Sequence, residues 1–455
     1  MKKKLIYLFV SLFTFMSCSD GAFDDGHIDL SKGYVEEEED TYKVYSLNHP
    51  CLLHTNADFT YVRKKIDEGA EPWISAWNYL NDPKKCPYTQ LNNDYLGKAV
   101  EILFRGPNGG NYTSARHPGL AAYYLALRWK LSEGKDPEAY KYADKAVKIL
   151  NEWATTCKGI DQTAESHDHY ALVSGFDGYR FTQSAEILRD YEGWAREDFE
   201  AYKQWMIDVF YTPASYFMSF KTDPYWSWGG WETPNLATIL SIGILCDNQD
   251  MINYAINFFK HGPSSGCISN LVVALHQDPL GLGEGYCLGQ ADESGRDQPH
   301  AGLNIVTVSA LCQSAYNIGE DLFAIKANDT FKDKEGVEHY RYDKYAEYGD
   351  TNLVLAFFEY YAKYNYDVLE AINMPYTTWA TRVNTYEVIS DAGRGRFYPG
   401  YELVYNHYAK VKGMKAPYSQ RFAEKYRDGN NSEWPYEYHD DFPGMGTLMF
   451  YKGND

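Results

Sequence analysis

The densest run of polar groups in the chain is the stretch from Gly285 to His300, which reads GYCLGQADESGRDQPH. Tyr286 and His300 are groups able to move protons. Arg296 can grip a carboxylate through its planar fork, and Gln298 can donate to an anion. Buried polar groups must be satisfied, so a folded chain seldom gathers so many without a use. The plainer alternative is a bracing loop with Arg296 paired to Asp297 or Glu293. A second cluster is the WSWGGWETPN stretch from Trp226 to Asn235. Trp228 and Trp231 beside two glycines offer flat apolar faces with close backbone approach, and Glu232 follows them. Sugar rings present C–H faces that pack on such surfaces, so this reads as a carbohydrate-cleft wall, with core packing as the alternative.

Two further clusters complete the set. Arg116, His117 and Pro118 form one half of the third, and the ESHDHY run with His167, His169 and Tyr170 forms the other. Two histidines at a spacing of two share one face of a strand. No HExxH or DxDxDG spacing supports a metal, so substrate-facing or hydrogen-bonded histidines are expected. The fourth cluster is Ser390 to Arg396, where Arg394 sits in an Arg-Gly-Arg loop suited to anions or to bracing, followed by Tyr401, Glu402, Tyr405, Asn406, His407 and Tyr408. The chain has no GxGxxG, P-loop or GxSxG motif, and no carboxylate pair that announces a glycoside hydrolase.

The elements that must position these groups read as helices. Asp136-Pro137 supplies an N-cap and an N1 proline, and Ala139, Ala143, Ala146, Val147, Leu150 and Trp153 follow at helical spacing. Leu120, Tyr124, Leu127 and Leu131 make a similar stripe that Gly134 closes. Further helices are predicted over 176–192, 196–211, 233–245, 249–260, 299–317 and 351–364. Tyr386 to Ser390 and Gly446 to Tyr451 have strand composition. No fixed-period repeat or domain linker is visible. The expectation is an all-α fold, one closed (α/α) toroid of helical hairpins, with a few short strands near the C-terminus.

Composition narrows the function. The 455 residues carry 43 Lys and Arg against 63 Asp and Glu, a net charge of -20, which excludes a general nucleic-acid binder. A hydrophobic fraction of 44% and an aromatic fraction of 16% exclude disorder over most of the chain. Lys2, Lys3 and Lys4 precede the apolar run Leu5 to Met16, which is too short to span a bilayer and reads as a signal segment. Phe15-Met16-Ser17-Cys18 resembles a bacterial lipobox and implies cleavage before Cys18 and its lipidation. Residues 1–17 are thus expected to be a lipoprotein signal peptide, 18–46 an acidic tether, and 47–455 the folded domain. The expected location is a bacterial periplasm, outer membrane or cell surface. Seven further cysteines without tight spacing argue against a disulfide framework or a CxxC zinc site. A monomer with no cofactor and no metal is expected.

The HPCLLH run from His49 to His54 resembles the HPGLLHT start of the alginate-lyase-like superfamily. ESGRDQPH at 293–300, ISDAGRG at 389–395, YNHY at 405–408 and GMGTLMF at 444–450 resemble its other motifs. The nearest group is polysaccharide lyase family 38, which includes alginate and glucuronan lyases. WGGWE at 228–232 is similar to an N-W-x-x-W-E pattern of related toroid lyases, with Ser227 where Asn is often found. The resemblance implies β-elimination across a uronic-acid linkage of an anionic polysaccharide, most often alginate. In that reaction the carboxylate is neutralised, a base removes the C5 proton, and an acid protonates the departing O4. Where proton and leaving oxygen share one face of the ring, one Tyr can serve both roles; otherwise a His and a Tyr are needed. The expected roles are Tyr286 as acid or combined acid and base, His300 or His169 as base, and Arg296, Gln298 and Arg394 at the carboxylate. Trp228, Trp231, Glu232, Arg116, His117, Tyr170 and Tyr405 are expected at the substrate. Two rivals stand beside this reading: a hydrolase of unsaturated uronides, and a non-catalytic glycan-binding lipoprotein.

Overall fold

The computed structural model describes residues 42–163, 165–225, 228–279, 286–366, 373–427 and 444–453. The signal segment and Cys18 lie outside the described residues. Fifteen α-helices stand among those described: α1 Asn56–Asp67, α2 Trp73–Asn81, α3 Thr113–Ser132, α4 Tyr140–Thr156, α5 Tyr170–Ile187, α6 Arg196–Met206, α7 Thr212–Ser219, α8 Gly229–Leu245, α9 Gln249–His261, α10 Ile268–Leu271, α11 Gln298–Asn317, α12 Leu353–Tyr366, α13 Tyr401–Asn406, α14 Pro417–Arg427 and α15 Gly446–Phe450. They close a ring. α3 packs on α5, α5 on α8, α8 on α11, α11 on α12 and α12 on α14; α13 and α15 then lead to α1 and α2, which return to α3. This is the expected (α/α) toroid.

Inner and outer helices differ in pattern because they differ in surroundings. Every residue of α5 is buried, and so is every residue of α8 except Trp231. A helix covered on all sides has no solvent face to mark with polar residues. The outer helices α4 and α9 bury one stripe each: Ala143, Ala146, Val147, Leu150 and Trp153 on α4, and Met251, Ile252, Ala255, Ile256 and Phe259 on α9. Asp136 caps a turn just ahead of α4, its carboxylate accepting from the Glu138 amide at 2.9 Å. The predicted helix at 176–192 begins earlier, at Tyr170, and ends at Ile187.

Of the two C-terminal segments with strand composition, one is a strand in part. Trp379–Ala380 pairs antiparallel with Thr385–Tyr386, and the strand character of 386–390 ends there. Gly446–Phe450 is not a strand but the fully buried helix α15. Burial between its neighbours in the ring overrides a β-prone composition. The longest strand pair, Val272–Gln277 with Cys287–Ala291, lies against α12.

The chain enters the fold earlier than residue 47. Asn253 of α9 exchanges hydrogen bonds with both backbone groups of Lys43, each at 2.8 Å. Gln249 does the same for Tyr45 at 2.8 and 3.1 Å. Gln183 of α5 accepts from the Leu53 amide at 3.1 Å. Residues 43–53 thus form a strap held by amide and carboxylate side chains.

The seam between α5 and α8 is a close one. A Cβ on Gly175 would stand 2.6 Å from Cβ of Pro234 and 3.0 Å from its backbone carbon. Gly175→Ala is therefore expected to lower stability by about 1–3 kcal/mol, although alanine is the better helix former. A thermal melt checks it; an unchanged or raised midpoint would show that the seam has slack.

Candidate functional site

One pocket opens on the inner helices. Its wall draws on the hairpin before α3, the first turns of α3 and α8, α5 from its start to Arg180, and the segment leading into α11 with the first turns of that helix. Four arginines reach it: Arg105, Arg116, Arg180 and Arg296. His169, His300, Tyr112, Trp231, Asp177 and Glu293 complete the polar and aromatic lining, with Leu172, Phe176 and Leu303 as its apolar part.

Arg296 is held by three partners. Its guanidinium donates to Glu293 at 3.0 Å and to Nε2 of His300 at 3.0 Å, and it lies over the Trp228 ring at 5.3 Å. Arginine carries no acceptor, so Nε2 of His300 must accept. The His300 proton is then on Nδ1, which donates to Asp297 at 2.7 Å. Asp297 is also the N-cap of α11, its side chain accepting from the His300 amide at 2.8 Å. The cap that starts the helix therefore also sets the tautomer of the imidazole one turn into it.

Behind Arg296 the site is acidic and dry. Glu293 accepts from the Gly230 amide and from Asn304, both at 3.2 Å, and Asp292 accepts from the Gly229 amide at 2.9 Å. These amides are the first of α8, whose open N–H groups and dipole favour negative charge. Burial nonetheless pushes Glu293 above the ordinary carboxylate range, with Arg296 opposing the shift. Burial and the charge of Glu293 hold Asp292 well above it. Gly230 is required where it is, because a Cβ there would stand 2.7 Å from Oε2 of Glu293.

On the opposite wall Arg180 pairs with Asp177, one turn away on α5, and Arg105 stacks over Tyr112 at 4.5 Å. His169 closes a short 3-10 turn before α5, and its ring stands edge-on to Trp231 at 5.2 Å. Burial depresses its pKa, and the charge of Arg105 and then of His167 push the same way. His169 is thus held neutral at pH 7.

The structure brings together Arg296, His300, His169, Arg116 and Trp231 from the sequence-derived set, and Trp228 joins them through Arg296. It takes the others elsewhere. Tyr286 does not line the pocket; its hydroxyl donates to buried Glu359. Gln298 is a buried staple, donating to the Ser294 and Ser390 carbonyls at 3.2 and 2.9 Å and accepting from Asn365. Arg394 braces the 391–395 loop against the Tyr364 carbonyl at 2.9 Å and lies over the Tyr364 ring. Glu232 is fully buried and accepts from Ser264 and from the Gly266 amide. His117 packs edge-on against Tyr88 and Tyr95, Tyr170 against Phe217, and Tyr405 is buried in α13. Trp226 and Ser227 lie outside the described residues. Arg105, Tyr112, Asp177 and Arg180 are site residues that the motifs do not reveal. The available signal was Asp177 and Arg180, a charged pair one turn apart.

No family model and no curated protein matches the chain. Solved structures do. An alginate lyase from Bacteroides ovatus is 12% identical, with a TM-score of 0.53 over 88% of this chain and 99% of that one. Alginate lyase A1-III from Sphingomonas species A1 is 12% identical, with a TM-score of 0.50 over 87% of this chain and 95% of that one. A variant of alginate lyase A1-III complexed with a tetrasaccharide is 13% identical, with a TM-score of 0.50 over 90% and 99%. At these identities the likeness is one of fold, and it extends over nearly the whole of each chain.

The electrostatics yield a direct check. Replacing Arg105 by Gln removes a positive charge that lowers the His169 pKa, so the His169 titration should move upward from a midpoint below about 6.5. Proton-detected titration of the imidazole signals measures it; a midpoint that stays put would remove Arg105 from the surroundings of His169.

Proposed function

We propose that this chain is a polysaccharide lyase that cleaves uronic-acid-containing polysaccharide by β-elimination, with alginate as the preferred substrate and glucuronan as the alternative. The observation that carries this reading is the convergence of four arginines, two histidines and a tyrosine on one pocket beside Trp231, in a chain whose net charge is -20. A strongly acidic protein that gathers arginines in a cleft is built to take an anion there. The toroid fold shared with alginate lyases supports the same class of reaction.

In this reading Arg296 holds the uronate carboxylate, and the other pocket arginines add to the field that lets enolate charge build at C5. The grip has a consequence for the base. Arg296 occupies Nε2 of His300 at 3.0 Å, so a carboxylate that draws the guanidinium away releases the lone pair. Asp297 keeps the proton on Nδ1, and Nε2 is then free to take the C5 proton. Tyr112 stands where Tyr286 was expected to act: it is the pocket hydroxyl, and it protonates the departing O4. His169, neutral and edge-on to Trp231, is placed to hydrogen-bond the sugar, and Trp231 and Trp228 offer faces to adjacent rings. The lipobox-like N-terminus supports a lipid anchor and action at the periplasm or cell surface.

Hydrolysis is a second reading with its own observation, because Asp177 and Glu293 also line the pocket. Each is bound to an arginine, and this pairing favours their service as counter-charges over acid and base roles.

The decisive assay follows ultraviolet absorbance during incubation with alginate, polymannuronate, polyguluronate and glucuronan in turn. A rise reports the new C4–C5 double bond and ranks the substrates. New reducing ends without that rise would replace the lyase by a hydrolase, and polymer binding with neither signal would replace it by a glycan-binding protein. Among variants, Arg296→Ala should lower kcat/KM by about 100-fold or more. Tyr112→Phe should abolish turnover with binding retained, whereas Tyr286→Phe should remain active. The reverse order of the two tyrosines would move the acid back to Tyr286.

A further inference from the structure

A second cluster of chemically potent side chains lies away from the pocket, where the strap crosses α5. Nδ1 of His49 stands 2.5 Å from Oε1 of Glu186. Sγ of Cys51 is 3.7 Å from Nδ1 of His49 and 3.9 Å from Oε1 of Glu186. All three ligand atoms fall within 4.8 Å of one another. Cys51 and Glu186 are buried, and the His49 side chain is only 14% exposed. We propose that His49, Cys51 and Glu186 form a zinc site that clasps the N-terminal strap to the inner ring. This assignment is independent of the lyase reading.

Three observations support it. The donor set is one imidazole, one thiol and one carboxylate, which suits a borderline-soft divalent ion better than calcium or magnesium. The spacing is already close to what zinc needs. Bonds of about 2.0–2.3 Å in tetrahedral geometry place ligand atoms about 3.4–3.6 Å apart. The two sulfur separations approach that edge length, and only the His49 to Glu186 separation must open, by about 1 Å. The surroundings also orient the ligands. Nε2 of His49 meets Asp247 at 2.9 Å, an outer carboxylate of the kind that fixes the tautomer of a metal-bound histidine. Oε2 of Glu186 is held by Arg189 at 3.3 Å, and the Cys51 amide donates to Oε1 at 3.0 Å.

Zinc takes the Cys51 sulfur as a thiolate and the His49 Nδ1 through its lone pair, so its entry displaces protons from the ligands.

The test uses untagged protein stripped with a chelator and titrated with zinc chloride. The expected result is one zinc per chain and a rise in Tm of about 2–5 °C at saturation. With cobalt chloride in place of zinc, the native chain should show a thiolate-to-cobalt charge-transfer band in the near ultraviolet. Cys51→Ser and His49→Ala should each lose that band and the bound ion. No zinc bound by the native chain, cobalt bound without the thiolate band, or full binding retained in Cys51→Ser would each overturn the site. The cobalt spectrum is read on the native chain, so it decides the matter even where a variant fails to fold.

Discussion

Helix α5 is buried along its whole length, yet four residues at a spacing of three, Asp177, Arg180, Gln183 and Glu186, are ionisable or amide. Leaving any of them unpaired in the interior costs several kcal/mol, so each must meet a partner that the surrounding chain provides. Asp177 and Arg180 meet each other at the pocket wall. Gln183 and Glu186 reach the strap, through the Leu53 amide at 3.1 Å and the Cys51 amide at 3.0 Å. One polar stripe thus serves both the cleft and the closure of the ring. The position of the strap and the chemistry of the pocket are two consequences of the same burial.

Arg296 plays the corresponding part on the other side of the cleft. A lysine ammonium has no planar fork to lay on a ring, whereas the guanidinium meets Glu293, His300 and the Trp228 face together. Glu293 in turn accepts from the Gly230 amide and Asp292 from the Gly229 amide, and a Cβ on Gly230 would crowd Oε2 of Glu293. The aromatic wall and the polar run, separate in sequence by more than fifty residues, are joined through these amides.

How much of this was legible in the sequence follows from which interactions are local. Helical periodicity announced most of the outer and inner helices, and the motif from Glu293 to His300 lands in the pocket because its contacts are i to i+3 and i to i+4. Tyr286 was misleading for a geometric reason. The strand Cys287–Ala291 separates it from the motif, and five residues of strand at about 3.3 Å each carry it roughly 16 Å away, to Glu359. Arg105 and Tyr112 were not legible, because only ring closure brings the hairpin before α3 against α5. Gly446–Phe450 read as a strand since composition reports burial as readily as it reports extended backbone.

The acidic chain and its basic pocket are compatible because the two fields act over different ranges. Surface carboxylates are screened over about 8 Å at physiological ionic strength. The pocket arginines sit in a site with buried walls, where screening is weak and Coulombic attraction correspondingly strong. Asp177 and Glu293 keep two of those arginines from repelling the rest before an anion arrives. On the proposed function, an incoming carboxylate would compete with these internal ones, and would do so well only where it reached the fork of Arg296 squarely. The internal acids would then do more than neutralise: they would lower affinity for diffuse negative charge and leave recognition to an anion of the right geometry.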